Sequence, residues 1–483
     1  MTRQINRITF VLILLVLALM ANLTYIQYFQ AGELRNQPGN QRVLLAEYSK
    51  QRGSMLVGSA PIAQSVVTQD DLKYLREYPS GPTYAAITGF YSLVYGSTEL
   101  ERTQNDVLSG NDSRFFVNRL QQLLANRPRQ GGTIRLTINE AAQVAAMKGL
   151  AGRTGAVVAI DPKTGAILAL ASSPSFDPNK LSSHDTASIQ RSYTALTLNP
   201  KQPLFNRATS MTLAPGSTFK LITAAAALES GQYTSTSILP GPASIQLPQS
   251  SHRLGNWTNS SCGVNNKTTL DHALSISCNT AFAWLGMQLG DQALRAQAEK
   301  FGFGTSFSVP MTIATSKFPK NPDQAQTAMS AVGQFDVQAS PLQMAMVAAG
   351  IANDGVVMKP YIVAQVLGPD LKILENATPE QFSVAMTPEH AAMLKDMMVN
   401  VVAKGTGSNA RIYGVAVGGK TGTAQTKPGS PAHAWFVSFA PAKSPSVAVA
   451  VVLQNGGGAR EISGNGLAAP IAKAVMQAII NDK

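Results

Sequence analysis

Gly155–Ala171 reads GAVVAIDPKTGAILALA, two apolar runs divided by Asp161-Pro162-Lys163-Thr164-Gly165. Pro and Gly between two such runs predict a hairpin of two strands. Working outward, Trp435–Ala440 and Val447–Gln454 are two further apolar strands, and Gly466–Ile480 is an Ala-rich closing helix. The interval from Phe219 to Asn353 is dominated by Ala-rich helices. Strands at both ends of a segment that encloses helices predict one sheet assembled from both ends, an α+β domain. Upstream, Glu140–Leu150 reads as an Ala-rich helix and Thr133–Ile138 alternates like a strand. NRPRQGG at 126–132 has the composition of a linker, and Arg114–Ala125 has a helical pattern. Residues 33–110, with NQPGNQR and the turn at Ser80-Gly81-Pro82, read as polar and irregular. The chain carries no tandem repeat.

Across 483 residues, 45% are hydrophobic and 14% charged. So few charges exclude a disordered or coiled-coil chain. Lys and Arg outnumber Asp and Glu by 39 to 27, a formal charge of +12, which suits an anionic partner. Two Cys and five His are too few ligands for a multi-zinc or iron–sulfur protein. Arg3 and Arg7 precede Ile8–Phe29, ITFVLILLVLALMANLTYIQYF, and no further charge appears before Glu33. As a helix this stretch is about 33 Å long, enough for a ~30 Å hydrocarbon core. The basic flank places Met1 in the cytoplasm and the body of the chain outside. A cleaved leader is the rival reading. Cleavage after Ala21 would put Leu19 where a small residue is wanted, so the anchor is preferred. Either reading takes the body out of the cytoplasm and away from nucleic acid. In an oxidising compartment Cys262 and Cys278 are open to a disulfide, or to two buried thiols. Pro240–Lys267 is a polar loop whose Asn256, Asn259 and Asn266 begin glycosylation-like triplets, read here only as loop polarity.

Three short motifs carry chemistry. Ser217-Thr218-Phe219-Lys220 follows Ala214-Pro215-Gly216 and opens the helical run LITAAAALES. Ser217 falls at a helix amino terminus, and Lys220, one turn on, can reach back to its hydroxyl. Such a serine becomes a nucleophile if burial or a second cation lowers the lysine's pKa. Ser277-Cys278-Asn279 offers a hydroxyl relay and an amide able to grip a peptide bond. Lys420-Thr421-Gly422-Thr423 places a cation and two hydroxyls along an extended strand, suited to a carboxylate, with Gly422 admitting a ligand backbone. Gly414 with Gly419-Lys420-Thr421 also matches a nucleotide-binding loop, which needs a helix straight after. Gly422, Pro428 and Pro431 argue against that helix. Each motif alone is weak: the first is readable as a Ser cap with an incidental Lys and the second as another helix cap.

Their order, S-x-x-K, S-x-N, K-T-G-T, resembles the signature of the penicillin-recognising serine acyltransferases. The chain resembles a class B penicillin-binding protein over nearly its whole length. Gly155–Asn179, Asn206-Arg207-Ala208, Gly333–Gly355 and HAWFVSFAP (433–441) carry that likeness. Arg52-Gly53-Ser54-Met55 resembles the R-G-x-I box of the family's non-catalytic domain. Glu101 through Gly110 resembles its G-x-E-x-x-Y-x-x-x-L-x-G box, with Glu99 and Gln104 in place of Gly and Tyr. Tyr78–Ser92 is similar to the penicillin-binding protein A subgroup of actinobacteria.

The resemblance implies a transpeptidase domain of β-lactamase-like fold, an antiparallel sheet flanked by helices, over 151–483. Ahead of it would lie a cytoplasmic tail at 1–7, a transmembrane anchor at 8–29 and an elongated dimerisation or pedestal domain at 30–150. The substrate would be a peptidoglycan stem peptide ending in D-Ala-D-Ala, with β-lactams acylating the same serine. Ser217 would be the nucleophile, Lys220 its base, Ser277 a proton relay and Lys420 a source of positive potential. Asn279 would hold the substrate amide, Thr421 and Thr423 its carboxylate, and the backbone N–H groups of Ser217 and Thr423 the oxyanion. A SEDS-type membrane glycosyltransferase is the partner the family suggests, and no metal or organic cofactor is implied. The competing readings are a β-lactamase or D,D-carboxypeptidase on the same scaffold and a catalytically idle β-lactam or muropeptide sensor. The anchor and the long upstream region weigh against a small hydrolase. Seven residues ahead of Ile8 and three intact motifs weigh against a sensor.

Overall fold

The computed structural model describes residues 2–30, 48–116, 124, 130–424, 431–457 and 464–482. The catalytic sheet has five antiparallel strands: β1 (Gly155–Ile160), β2 (Ile167–Ser173), β3 (Gly418–Ala424), β4 (Ala432–Ala440) and β5 (Val447–Gly457). Their order is β3-β4-β5-β1-β2, so β1 and β2 from one end of the segment join β3–β5 from the other. Asp161–Gly165 closes the β1–β2 hairpin, with Gly165 at φ 83° and its N–H donating to Asp161 O at 2.9 Å. Ala156, Val158 and Ile160 face one core, Val157 and Ala159 the other. Strands buried on both faces carry continuous apolar runs instead of alternating ones, which is why these segments were so legible.

Helices α1 (Glu140–Leu150) and α5 (Gly464–Asn481) cover one face, through Ala142, Ala146, Leu150, Ala469 and Val475. The other face carries α4 (Pro341–Ala352), buried along its whole length, with α2 (Lys220–Glu229) and α3 (Asn279–Lys300) beyond it. A helix apolar all round belongs inside a large core. The expected α+β architecture holds.

The upstream region departs from expectation. From Tyr48 onward it is folded, with strands Met55–Val57, Ala60–Val67 and Tyr74–Glu77 and a helix over Gly81–Thr88. These strands join Thr133–Leu136 in a six-stranded sheet completed by Val363–Leu367 and Ile373–Asn376 from far downstream. The region's core is apolar, with Met55, Ile62, Ile87, Leu100 and Leu108 buried, but short strands and a buried charged cluster hide it in the sequence. Glu101, wholly buried, receives Arg52 Nε and Arg76 Nε at 2.6 Å each, and Tyr78 donates its hydroxyl at 3.1 Å. Arg52 thus brings the first upstream box onto Glu101 of the second, and its guanidinium lies 4.3 Å over the Tyr91 ring. The helix expected over Arg114–Ala125 falls mainly outside the described residues; Ser113–Phe115 forms a 3₁₀ turn. Arg3–Phe29 is one helix, long and apolar enough to cross a membrane, with no part of its apolar stretch buried.

Candidate active site

Ser217 lies in a 3₁₀ turn, Gly216–Phe219, that runs directly into α2. Gly216 sits at φ 54°, and a Cβ there would lie 2.6 Å from Thr423 O, so glycine lets the turn press against β3. Gly216 N donates to Gly333 O at 2.9 Å, which fixes the turn from its other side. Ser217 is half-buried and Lys220 wholly buried.

The Lys220 ammonium position differs from the sequence expectation. Lys220 Nζ donates to Ser277 O at 2.8 Å, Asn279 Oδ1 at 2.8 Å and Ser277 Oγ at 3.3 Å. Among the described residues no hydrogen bond joins it to Ser217 Oγ. Ser277 therefore stands between two lysines, because Lys420 Nζ reaches its Oγ from β3 at 2.9 Å and also donates to Thr421 O at 3.0 Å. Ser277 holds φ 61°, a left-handed conformation uncommon for a residue with a Cβ. Such conformations persist where surroundings over-determine them.

Here the surroundings are a buried asparagine and a disulfide. Asn256, 4% exposed, accepts Asn279 N at 2.9 Å and Thr280 N at 3.1 Å on Oδ1. Its Nδ2 donates to Pro242 O and Ser260 O, both at 2.9 Å. Cys278, between the motif's Ser and Asn, forms a disulfide with Cys262, the Cα atoms 6.0 Å apart. Together they bind the loop over 240–267 to the amino terminus of α3. The polar triplet at Asn256 is thus an internal brace for the site, not loop polarity. No local signal marks it, because apart from Ser260 O these partners lie 14 to 24 residues away. Trp257 beside it donates Nε1 to Ile276 O at 3.3 Å while its ring stays 62% exposed.

On β3, Thr421 is buried and its Oγ1 lies 2.8 Å from Thr406 Oγ1, a residue the motif search did not single out; Thr423 is exposed. Gly422 also has a packing purpose. A Cβ at 422 would meet Thr218 Cγ2 at 2.8 Å, Pro215 O at 2.9 Å and Trp435 Cβ at 2.9 Å. Glycine there lets the serine turn pack against β3. Because Gly418–Ala424 is a strand, the nucleotide-loop pattern fails its structural requirement.

Burial dominates the electrostatics. It pulls the Lys220 pKa well below 10.5, helped by the positive charge of Lys420. Burial also brings Lys420 down to about 7. Two buried amines sharing one serine cannot both keep a proton cheaply. A neutral amine beside a serine hydroxyl is a base poised for proton abstraction.

The sequence matches the family model for the penicillin binding protein transpeptidase domain over residues 155–477. The chain belongs to the penicillin-binding protein transpeptidase family. Residues 52–134 also match the penicillin binding protein A dimerisation domain. The peptidoglycan D,D-transpeptidase PbpA of Mycolicibacterium smegmatis is 43% identical over 491 residues, covering 100% of both chains. Its Mycobacterium tuberculosis counterpart is 43% identical, covering 99% of each. Among solved structures, the ceftriaxone acyl-enzyme of penicillin-binding protein A from M. tuberculosis superposes with a TM-score of 0.87 at 42% identity, covering 90% of this chain and 100% of that one. PBP2 of Pseudomonas aeruginosa follows the same fold with a TM-score of 0.74 at 29% identity, covering 89% and 95%. The resemblance read from the motifs, subgroup included, is borne out.

Proposed function

We propose that this penicillin-binding protein is a peptidoglycan D,D-transpeptidase that works through an acyl-enzyme on Ser217. The observation that carries this reading is the pair of buried amines, Lys220 and Lys420, meeting at Ser277 beside the Ser217 turn. Substrate is a stem peptide ending in D-Ala-D-Ala, its terminal carboxylate taken by Thr421 and Thr423. Lys220, neutral, exchanges one of its present contacts for Ser217 Oγ and removes its proton; such catalytic bonds often tighten only once substrate is bound. Ser217 Oγ attacks the penultimate carbonyl, and the backbone N–H groups of Ser217 and Thr423 hold the oxyanion. Ser277, between the two amines, passes a proton to the departing D-Ala amine while Asn279 holds the substrate amide. An acceptor amine then attacks the ester: a C–N bond forms, the C–Oγ bond breaks, and the amine's proton returns to Ser217 Oγ by way of Lys220. A β-lactam acylates the same oxygen.

The proposed layout is a tail at 1–7, an anchor at 8–29, a pedestal or dimerisation domain at 30–150 and the transpeptidase at 151–483. The basic residues ahead of the apolar helix support an extracytoplasmic catalytic domain. A SEDS-type glycosyltransferase would supply the glycan strands. Intact-mass analysis after penicillin treatment tests the assignment. The wild type gains one penicilloyl adduct and Ser217→Ala gains none. An adduct on Ser217→Ala overturns the nucleophile, and rapid turnover of benzylpenicillin overturns the transpeptidase in favour of a hydrolase.

A further inference from the structure

Thr406, in the turn that follows the helix Pro388–Ala403, ties the segment carrying Ser277 to the strand carrying Thr421. Its N–H donates to Ser275 O at 3.1 Å, and its Oγ1 lies 3.3 Å from that same oxygen and 2.8 Å from Thr421 Oγ1. Ser275 is the last residue of the helix Leu270–Ser275, two positions ahead of Ser277. The close approach is built into the backbone. A Cβ at Gly405 would meet Ser275 O at 2.3 Å and Ser275 Oγ at 2.5 Å, so only glycine lets this turn reach the helix end. Ser275 Oγ donates in turn to Asn400 O at 3.4 Å, and Asn400 Nδ2 donates to Asp271 Oδ1 at 2.9 Å and Oδ2 at 3.1 Å. Thr406 is thus held from behind by residues that the proposed reaction does not use.

Proton count decides what the threonine pair can do. A hydroxyl has one proton to give and lone pairs with which to accept, and either oxygen of this pair can be the donor. If Thr421 donates, its proton is spent inside the protein, and it faces a carboxylate with lone pairs only. If Thr406 donates, Thr421 keeps its proton for a ligand. The distances favour the second arrangement. The other acceptor open to the Thr406 hydroxyl, Ser275 O, is farther away and already takes the Thr406 N–H. A hydroxyl that accepts a hydrogen bond is also the stronger donor, because chained bonds polarise one another. The Thr421 backbone is fixed separately, its O accepting Lys420 Nζ at 3.0 Å, so what Thr406 sets is the hydroxyl.

We infer that Thr406 is a positioning residue that donates its hydroxyl proton to Thr421 Oγ1 and so turns the Thr421 proton toward the terminal carboxylate of the donor peptide. The inference deepens the function proposed above and rests on its assignment of that carboxylate to Thr421 and Thr423. The test gives the full chain in detergent a D-Ala thioester donor ending in a carboxylate, beside the same thioester amidated at that carboxylate. The thiol released reports acylation, and Cys262 and Cys278, bonded to each other, add no thiol of their own. Thr406→Val keeps the branched shape without the hydroxyl, and Thr406→Ser puts the hydroxyl back. The expected result is that Thr406→Val lowers kcat/KM for the free-acid donor about tenfold, the scale of one hydrogen bond, and leaves the amidated donor unchanged. Thr406→Ser should return the free-acid value to that of the wild type. An equal fall for both donors, as a merely structural role would give, or no fall for the free acid overturns the inference. Equal kcat/KM for the two donors in the wild type overturns instead the assignment of the carboxylate to Thr421 and Thr423.

Discussion

Two clusters of buried charge, one in the region that matches the dimerisation domain and one in the transpeptidase domain, use the same physics in opposite ways. At Glu101 two arginines meet one carboxylate at 2.6 Å, and a tyrosine hydroxyl and Gly53 O occupy further positions. Opposite charges meet directly, although Arg76 Nη2 is left without a partner, and Glu101 is held below its ordinary pKa by Arg76 and Arg52 against the upward pull of burial. At Ser277 two amines converge on a single hydroxyl with no carboxylate between them. Burial there goes uncompensated, so the Lys220 pKa is pulled well below the ordinary lysine value and that of Lys420 to about 7. Pairing with a carboxylate keeps the arginines charged and structural, whereas two amines without one favour loss of a proton and a base.

The contrast is sharpened by substitution, beginning with the largest effect. Lys220→Ala removes the base and should slow acylation by roughly 10²–10⁴-fold while leaving some non-covalent penicillin binding. Stopped-flow rates near wild type would break the comparison. Glu101→Ala strands two buried guanidinium groups and should cost about 3–5 kcal/mol in stability. Denaturant unfolding measures the loss, and acylation at wild-type rate in the surviving fold would confirm that this cluster is structural only. Asn256→Ala should cost about 1–3 kcal/mol through the orphaned N–H groups of Asn279 and Thr280, and should also slow acylation because those groups set the Ser277 turn. A stability loss with an unaltered acylation rate would reduce Asn256 to scaffolding.

Legibility in the sequence followed the same division. Strands β1, β2, β4 and β5 were readable because burial on both faces writes a continuous apolar run into one segment. The upstream sheet was not, because Arg52, Arg76 and Glu101 look like surface residues until their spatial meeting is known. At the site, residue types and order named Ser217, Lys220, Ser277, Asn279, Lys420, Thr421 and Thr423, and the structure brings their segments together. Lys220's present partners and the brace from Asn256 depend on chain segments far apart in sequence, which spacing alone cannot express. Gly422 shows the same limit. Its small size was legible, but which neighbour needs the space was decided by packing against Pro215 and Thr218.

Burial beside Lys420 pulls the Lys220 amine well below the ordinary lysine range. Acidification protonates that amine and removes the base, so the acylation rate must rise with pH and level off once the amine is neutral. The most direct measurement is the second-order rate of penicillin acylation of the full chain against pH. The rate should reach its plateau well below 10.5, the ordinary lysine value from which burial and Lys420 displace the amine. A rate still climbing with a midpoint near 10.5 would contradict it.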